Sequence, residues 1–363
     1  MKIAILQNCL DTIGGAERVG LTMARELGAD IYTTNINEEK IIKMGFSELL
    51  PRIFSIGKVP INAPYRQQMI LLRFGVLNLK KKYDFYIING DWALSGAKNN
   101  KPNLWYVNAT IREIWDLYKY VRKNNVKQWQ RLIFDAWVLF NRRLNKRHIK
   151  HVGKIASNSK YTAERVKKYL GRNSEIIFPP TDTKKFSWGK DHGYWLSVNR
   201  IISYKRIDIQ VKAFAGLSKE KLIILGPHEN SEHCENYYQY IKKACSKNIT
   251  LIDQADSFDQ LTEFYANCKG FITTCHMEDF GMTAVEAMAS GKPVIAPAEG
   301  GYLETVIDNK TGILIDQIDP SKLKEAVLRL SDNTTQFKDA CLLQAKKFDT
   351  NIFIKKIREL INE

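Results

Sequence analysis

Glu278 and Glu286 stand eight positions apart in HMEDFGMTAVEAMASGKPVIAPAEGG, residues 276–301, with Gly281 between them. Two carboxylates act as a hydrolytic acid–base pair when they lie roughly 5 to 9.5 Å apart. Eight residues of continuous helix span about 12 Å, so a hydrolytic pair is not the natural reading. GFITTC reads as a strand, Glu278 falls in the loop after it, and Gly281 opens a helix carrying Glu286. The amides of Phe280, Gly281, Met282 and Thr283 then face whatever lies beside Glu278. Such a loop can hold sugar hydroxyls through Glu278 while Glu286 reaches a ribose. The plainer alternative has Glu278 capping the helix and Glu286 on its wet face.

Two other loops carry groups suited to phosphate. In YWLSVNRIISYKRID, Arg200 and Lys205 follow a strand end and precede a helix. A guanidinium fork and a lysine point charge together suit a diphosphate and can neutralise a departing one. Read alone, this segment is better taken as two solvated loop cations. In LQNCLDTIGGAERVGL, Gly14 and Gly15 join a strand to an amphipathic helix and let a ligand approach the backbone. Their spacing matches neither the dinucleotide nor the P-loop glycine pattern. No Asp-x-Asp occurs in the chain, so a metal-held diphosphate lacks its usual ligands and the expected metal is none. His148 and His151 in HIKH have no evident third ligand nearby.

Positioning these groups takes alternating strands and helices from end to end, which reads as parallel sheets covered by helices. Strand candidates in the first half are KIAILQN, DIYTTN, YDFYIING, NLWYVN and KIASNS, with helices at 15–27 and 161–170 and a basic helical pattern from 112 to 150. IIFPPTDTKKFSW breaks the pattern as a linker. YWLSVN, KLIILG, ITLID, GFITTC, PVIAP and GILID follow, separated by helical patterns at 207–217, 234–245, 257–267 and 282–290. Two doubly wound domains result, and their ligands belong beyond the C-terminal strand ends.

The chain has 363 residues and a formal net charge of +16, enough length for two domains. From Arg112 to Arg172 there are 17 Lys/Arg against four Asp/Glu, which is +13 of that total. An anionic partner is expected to face this segment. Within it, Trp129, Leu132, Ile133, Ala136, Trp137 and Phe140 follow helical spacing. Such a helix either lies on an anionic bilayer or buries these residues in the first domain. The N-terminus reads as a first strand rather than a signal peptide, no apolar run reaches a membrane span, and the six cysteines form no framework. Thiols in the cytosol are then the expectation.

GGAERV, NRIISYKRID and EDFGMTAVEAMASGKPVIA together resemble retaining GT-B glycosyltransferases of the family 4 type, and the resemblance runs over nearly the whole chain. It implies an α/β fold of two Rossmann-like doubly wound domains facing across a cleft. The first, residues 1–180, would take the acceptor; the second, 181–349, the nucleotide-sugar donor; a helix at 350–363 would pack back on the first. By resemblance, Glu278 contacts the donor sugar, Glu286 the ribose, Arg200 and Lys205 the diphosphate, and Gly15 the phosphate loop. NATIREIWD is similar to the HTPxRxxWD of lipopolysaccharide-type mannosyltransferases, matching at Arg112, Trp115 and Asp116 on the acceptor side. Asn108 and Thr110 replace its histidine and proline, and an amide at 108 cannot act as general base.

The function expected is anomer-retaining transfer of a hexose, GDP-mannose being the favoured donor, to a glycan or lipid-linked acceptor without metal. Catalytic roles fall on Arg200, Lys205, Glu278 and Asn108. The setting expected is cytoplasmic, peripheral on the inner face of an anionic membrane through residues 112–172. One alternative is a nucleotide-sugar epimerase on the same fold. Another is nucleic-acid binding, with Trp115, Tyr118, Tyr120, Trp129, Phe134 and Trp137 stacking on bases, although no specific nucleic acid is indicated.

Overall fold

The computed structural model describes residues 1–228 and 232–362, and the chain divides into two compact units. Unit 1 comprises Met1–Phe178 and Phe353–Glu363; unit 2 comprises Pro179–Ile352. Glu363, the last residue of the expected C-terminal helix, lies outside the described residues.

Unit 1 is built on a seven-stranded parallel sheet in the order β3-β2-β1-β4-β5-β6-β7. Its strands are β1 (Ile3–Leu6), β2 (Asp30–Thr33), β3 (Ile53–Ser55), β4 (Phe85–Ile88), β5 (Asn103–Val107), β6 (Lys154–Ser157) and β7 (Glu175–Ile176). The central strands β1, β4 and β5 are buried along their whole length, as expected of a sheet covered on both faces. The helices are α1 (Gly15–Leu27), α2 (Glu38–Lys43), α3 (Tyr65–Val76), α4 (Tyr118–Asn124), α5 (Arg131–His148) and α6 (Lys160–Leu170). Gly28 ends α1 and Gly171 ends α6, both in the left-handed conformation, and Ser159 caps the start of α6 through the Thr162 amide.

Unit 2 repeats the plan with a six-stranded parallel sheet, β10-β9-β8-β11-β12-β13. Its strands are β8 (Tyr194–Val198), β9 (Lys221–Leu225), β10 (Ile249–Ile252), β11 (Gly270–Ile272), β12 (Val294–Pro297) and β13 (Gly312–Ile315). Helices α7 (Ile207–Ala215), α8 (Glu232–Ala244), α9 (Phe258–Asn267), α10 (Met282–Ala289), α11 (Tyr302–Thr305), α12 (Pro320–Ser331) and α13 (Lys338–Lys346) accompany them. The last helix, α14 (Thr350–Asn362), starts in unit 2 and continues into unit 1. There Phe353 meets Tyr106 edge-on at 5.4 Å, Lys154 donates to the Leu360 carbonyl, and Arg358 to that of Glu26.

Strand order reverses between β1 and β4 in unit 1 and between β8 and β11 in unit 2. At such a switch point the two following loops diverge to opposite faces and leave a crevice at the strand ends. Gly14 and Gly15 follow β1, Arg200 and Lys205 follow β8, and Glu278 follows β11.

The aromatic-rich basic segment has two faces. Trp137 lies between Trp92 and Phe134, which stacks in turn on Tyr118, and Trp115 stacks on Tyr169. These rings are occupied with each other, which removes most of the stacking platform the nucleic-acid alternative needs. Trp129, Leu132, Ile133, Ala136 and Phe140 point outward instead, so burial of the whole stripe in unit 1, one of the two expectations, does not occur.

Candidate functional site

In unit 2 three loops meet beyond the strand ends, and their own hydrogen bonds lace them together. The loop after β8 ends in a 3-10 turn over Ser203–Lys205. The Thr274 hydroxyl, beyond β11, donates to the carbonyls of Lys205 and Arg206 at 2.8 and 2.9 Å. Arg206 returns a bond from Nε to the Thr274 carbonyl and pairs with Glu299 beyond β12. His276 donates its amide to the Tyr204 carbonyl, and its ring faces Glu299 at 3.2 Å.

The expected site residues sit on this lattice. The Lys205 ammonium lies 2.5 Å from Glu278 Oε2, with both side chains largely shielded. Burial works against the charge of Lys205, but Cys275 and Glu278 beside it prevail and raise its pKa above the ordinary lysine value. Lys205 is therefore a fixed cation and not a solvated loop charge. Arg200 is exposed and reaches the Tyr204 hydroxyl at 3.2 Å.

Glu278 is not the cap residue of α10. Gly281 occupies the cap position with φ +91° and no side-chain bond. A Cβ there would come within 2.6 Å of the Tyr302 ring, so both the backbone angle and the space demand glycine. One loop over, a Cβ on Gly301 would lie 2.3 Å from the Phe280 Cα, and the Gly301 amide donates to the Glu278 carbonyl. The Phe280 ring is buried against Phe348, leaving Met282 and Thr283 half-buried in the first turn of α10.

Glu286 corrects the wet-face alternative. It is 2% exposed, and its Oε2 accepts from the Tyr265 hydroxyl at 2.8 Å. Tyr265, from α9, thus backs the carboxylate, a partnership that nothing in the local sequence around Glu286 announces.

Unit 1 carries a second polar cluster at the ends of its central strands. Asn8 after β1 donates to Asp91 at 2.6 Å; Asn108 after β5 donates to Asn89 Oδ1 at 2.9 Å; Asn158 after β6 donates to the Asn108 carbonyl at 2.7 Å. Asn89 also bonds the Ala16 carbonyl, tying the chain of amides to the start of α1 and its cap residue Gly14. The repeated asparagine after QN, IIN, YVN and ASN was the signal for Asn8, Asn89 and Asn158. Of these positions only Asn108 is singled out in the sequence reading.

Arg112, Trp115 and Asp116 form a knot within unit 1. Arg112 pairs with Asp116 at 2.9 Å, Arg165 of α6 adds a second contact at 3.3 Å, and Trp115 Nε1 donates to Asn145 of α5. Glu113, inside the same motif, is a further candidate. Burial first, then the nearby Asp91 charge, pushes its pKa up to about 7. His148 moves the other way, to about 4, because burial and the neighbouring His151 and Arg147 disfavour its charge. Among the described residues no group of three or more His, Cys, Asp or Glu side chains could hold a metal ion, and no helix is long and apolar enough to cross a membrane.

Residues 180–348 match the family described as Glycosyl transferases group 1. The chain is 31% identical to the uncharacterized glycosyltransferase MJ1178 of Methanocaldococcus jannaschii over 50% of each chain. It is 26% identical to the alpha-1,3/1,6-mannosyltransferase ALG2 of Candida glabrata, over 85% of this chain and 78% of that one. For most of these first relatives the match spans about half of their own length. In fold it resembles Alr3699/HepE of Anabaena, solved in complex with UDP and glucose, at a TM-score of 0.78 over the full length of both chains and 16% identity.

Proposed function

We propose that this chain, whose residues 180–348 match the Glycosyl transferases group 1 family, transfers a hexose from a sugar nucleotide to a glycan or lipid-linked acceptor with retention of anomeric configuration. The observation that carries the reading is the Lys205–Glu278 pair at the switch point of unit 2, beside Arg200 and the glycine-capped start of α10. It offers cations for a diphosphate and a carboxylate for sugar hydroxyls within one rigid lattice.

In this reading Arg200 and Lys205 bind the diphosphate, assisted by amides of the first turn of α10 around Met282 and Thr283. Glu278 accepts from hydroxyls of the donor sugar, and Glu286, held by Tyr265, meets the ribose. As the bond from the anomeric carbon to phosphate breaks, charge grows on the departing oxygen, and the two cations stabilise it. The acceptor oxygen bonds to the same face of that carbon, and its proton passes to the departing phosphate. No protein nucleophile is required. Gly14 and Gly15 let phosphate approach the backbone at the start of α1. Asn108, with its own amide fixed by Asn89, hydrogen-bonds a sugar hydroxyl, while the Arg112–Trp115–Asp116 knot shapes the acceptor side.

GDP-mannose is the proposed donor, supported by the mannosyltransferase named among the relatives; the UDP and glucose of the HepE complex make UDP-glucose the comparison donor. The proposed setting is cytoplasmic, at the inner face of an anionic membrane that meets residues 112–172. Thermal-shift titration with GDP-mannose, UDP-glucose and their free nucleotides, followed by product analysis with the best binder, tests the assignment. Conversion of donor alone into an epimer, without transfer, would replace it with the epimerase reading.

A further inference from the structure

Unit 1 exposes an apolar face of a second helix beside the basic segment. On α3, Tyr65, Leu72 and Val76 recur at helical spacing and are all exposed, Val76 by 78%, and Ile61 just ahead of the helix is 71% exposed. Positions i, i+7 and i+11 fall on one face, so these side chains form a stripe. Its opposite face is used normally: Ile70 and Phe74 are buried in the unit 1 core. From Arg52 to Tyr83 the chain has seven Lys/Arg and no Asp/Glu, and Lys58, Arg73, Lys80, Lys81 and Lys82 are exposed around the stripe.

α3 adjoins α5, since Gln68 Nε2 donates to the buried Asn141 Oδ1 at 3.0 Å. α5 presents the same combination in sequence along its length. Leu132, 80% exposed, Ile133, Leu139 and Phe140 are exposed along the N-terminal half and middle of α5, and Arg143, Lys146, Arg147 and, just beyond the helix, Lys150 are exposed towards its C-terminal end. Adjacent helices thus expose apolar residues within strongly cationic surroundings. Two copies of this chain meeting through that surface would bring like charges together. An anionic lipid interface satisfies both features, taking apolar side chains among the acyl chains and lysines at the headgroups.

We infer that α3, with Ile61, Tyr65, Leu72 and Val76, is a second membrane-inserting element that acts together with α5, so that unit 1 stands on an anionic bilayer on two helices. The inference rests on the membrane clause of the function proposed above and is independent of its sugar-transfer clause.

Flotation of the full chain with phosphatidylcholine vesicles, with and without phosphatidylglycerol, tests it on three proteins. These are the parent, an α3 variant (Ile61→Ser, Leu72→Ser, Val76→Ser) and an α5 variant (Leu132→Ser, Ile133→Ser, Phe140→Ser). The parent should float with the anionic vesicles and be released by salt. Each variant should lose about tenfold or more in partitioning at an unchanged Tm, because the altered side chains are exposed. If the parent floats and only the α5 variant loses binding, the α3 inference falls while the membrane clause stands. If the parent does not float, both fall. A parent that stays off vesicles and sediments as a dimer, with the α3 variant monomeric, assigns the surface to a second copy and overturns the inference.

Discussion

The ammonium of Lys205 and the carboxylate of Glu278, 73 positions apart in the chain, are 2.5 Å from each other at the end of the unit 2 sheet. The two groups assigned to different parts of a sugar nucleotide are thus partners of one another. Pairing holds the lysine charged and the carboxylate oriented, so neither has to be reorganised when a diphosphate departs.

Breaking this pair should be costly in a recognisable way. Lys205→Met leaves a shielded carboxylate without its cation, and we expect kcat/KM to fall by about 2–4 kcal/mol in transition-state terms. Lys205→Met with Glu278→Gln removes both charges and should regain stability relative to the single variant, because the uncompensated charge is gone. The folded-state pKa of Lys205 is raised, so its contribution is fully present below the unfolded lysine value and is lost only as pH rises through the higher folded one. Activity should therefore show no lysine ionisation from neutral to mildly alkaline pH. A double-mutant cycle on donor binding and a pH–rate profile check both points.

Arg200 should matter for rate and little for folding. It is exposed, so Arg200→Ala should leave Tm nearly unchanged while lowering kcat/KM by about 2–4 kcal/mol. With arginine and lysine stabilising the leaving group, turnover should persist in EDTA. An absolute need for magnesium or manganese would count against the mechanism.

Glu286 combines support and binding, and the two separate by choice of substitution. Glu286→Ala removes an acceptor of the buried Tyr265 hydroxyl and should cost about 1–3 kcal/mol of stability. Glu286→Gln keeps an acceptor for Tyr265 and should fold normally yet bind donor more weakly. Tyr265→Phe should mimic the second effect in milder form. Unchanged donor affinity in the glutamine variant would remove Glu286 from the ribose.

Glu113 predicts a pH dependence in unit 1. Its folded pKa, pushed up to about 7 by burial and by Asp91, lies above the unfolded value near 4.5. The native state binds the extra proton between those values, so this group's stabilising contribution is full below about 4.5 and is lost as pH rises to about 7. Glu113→Gln should abolish that slope and be more stable than the parent above neutrality, on the order of 2 kcal/mol. Denaturant melts of both proteins across this window test it.

Asn108 is held at both its side chain and its carbonyl. Asn108→Ala should cost about 1 kcal/mol of stability through the lost amide bond and should also reduce activity if the residue touches sugar. Asn108→His should introduce a new ionisation near the ordinary histidine value in the pH–rate profile. If neither variant alters activity, Asn108 has only its structural bonds.

Strands were largely readable because runs such as IAIL and FYII are buried on both faces and therefore apolar throughout. β3 and β7 escaped notice, being short strands at the sheet edges with exposed residues. Lys205 and Glu278 were each visible as candidates, but their contact was not, since it arises from the non-sequential neighbours β8 and β11. The burial of Glu286 depends on Tyr265 of another helix and has no local trace. Likewise the outward turn of Trp129 and inward turn of Trp137 depend on where Trp92 sits, which helical spacing cannot supply.

The course of α14 bears on synthesis. Phe353, Ile357, Leu360 and Ile361 are buried, and from Phe353 onward this helix belongs to unit 1 although that part follows all of unit 2 in the chain. While the ribosome extends the chain, residues 1–178 emerge first but lack these side chains until unit 2 has been made. The early portion must wait with part of its apolar surface uncovered, so it cannot reach its full stability in the usual first-made, first-folded order. Nascent unit 1 thus keeps an uncovered apolar seam for as long as it takes to translate its neighbour.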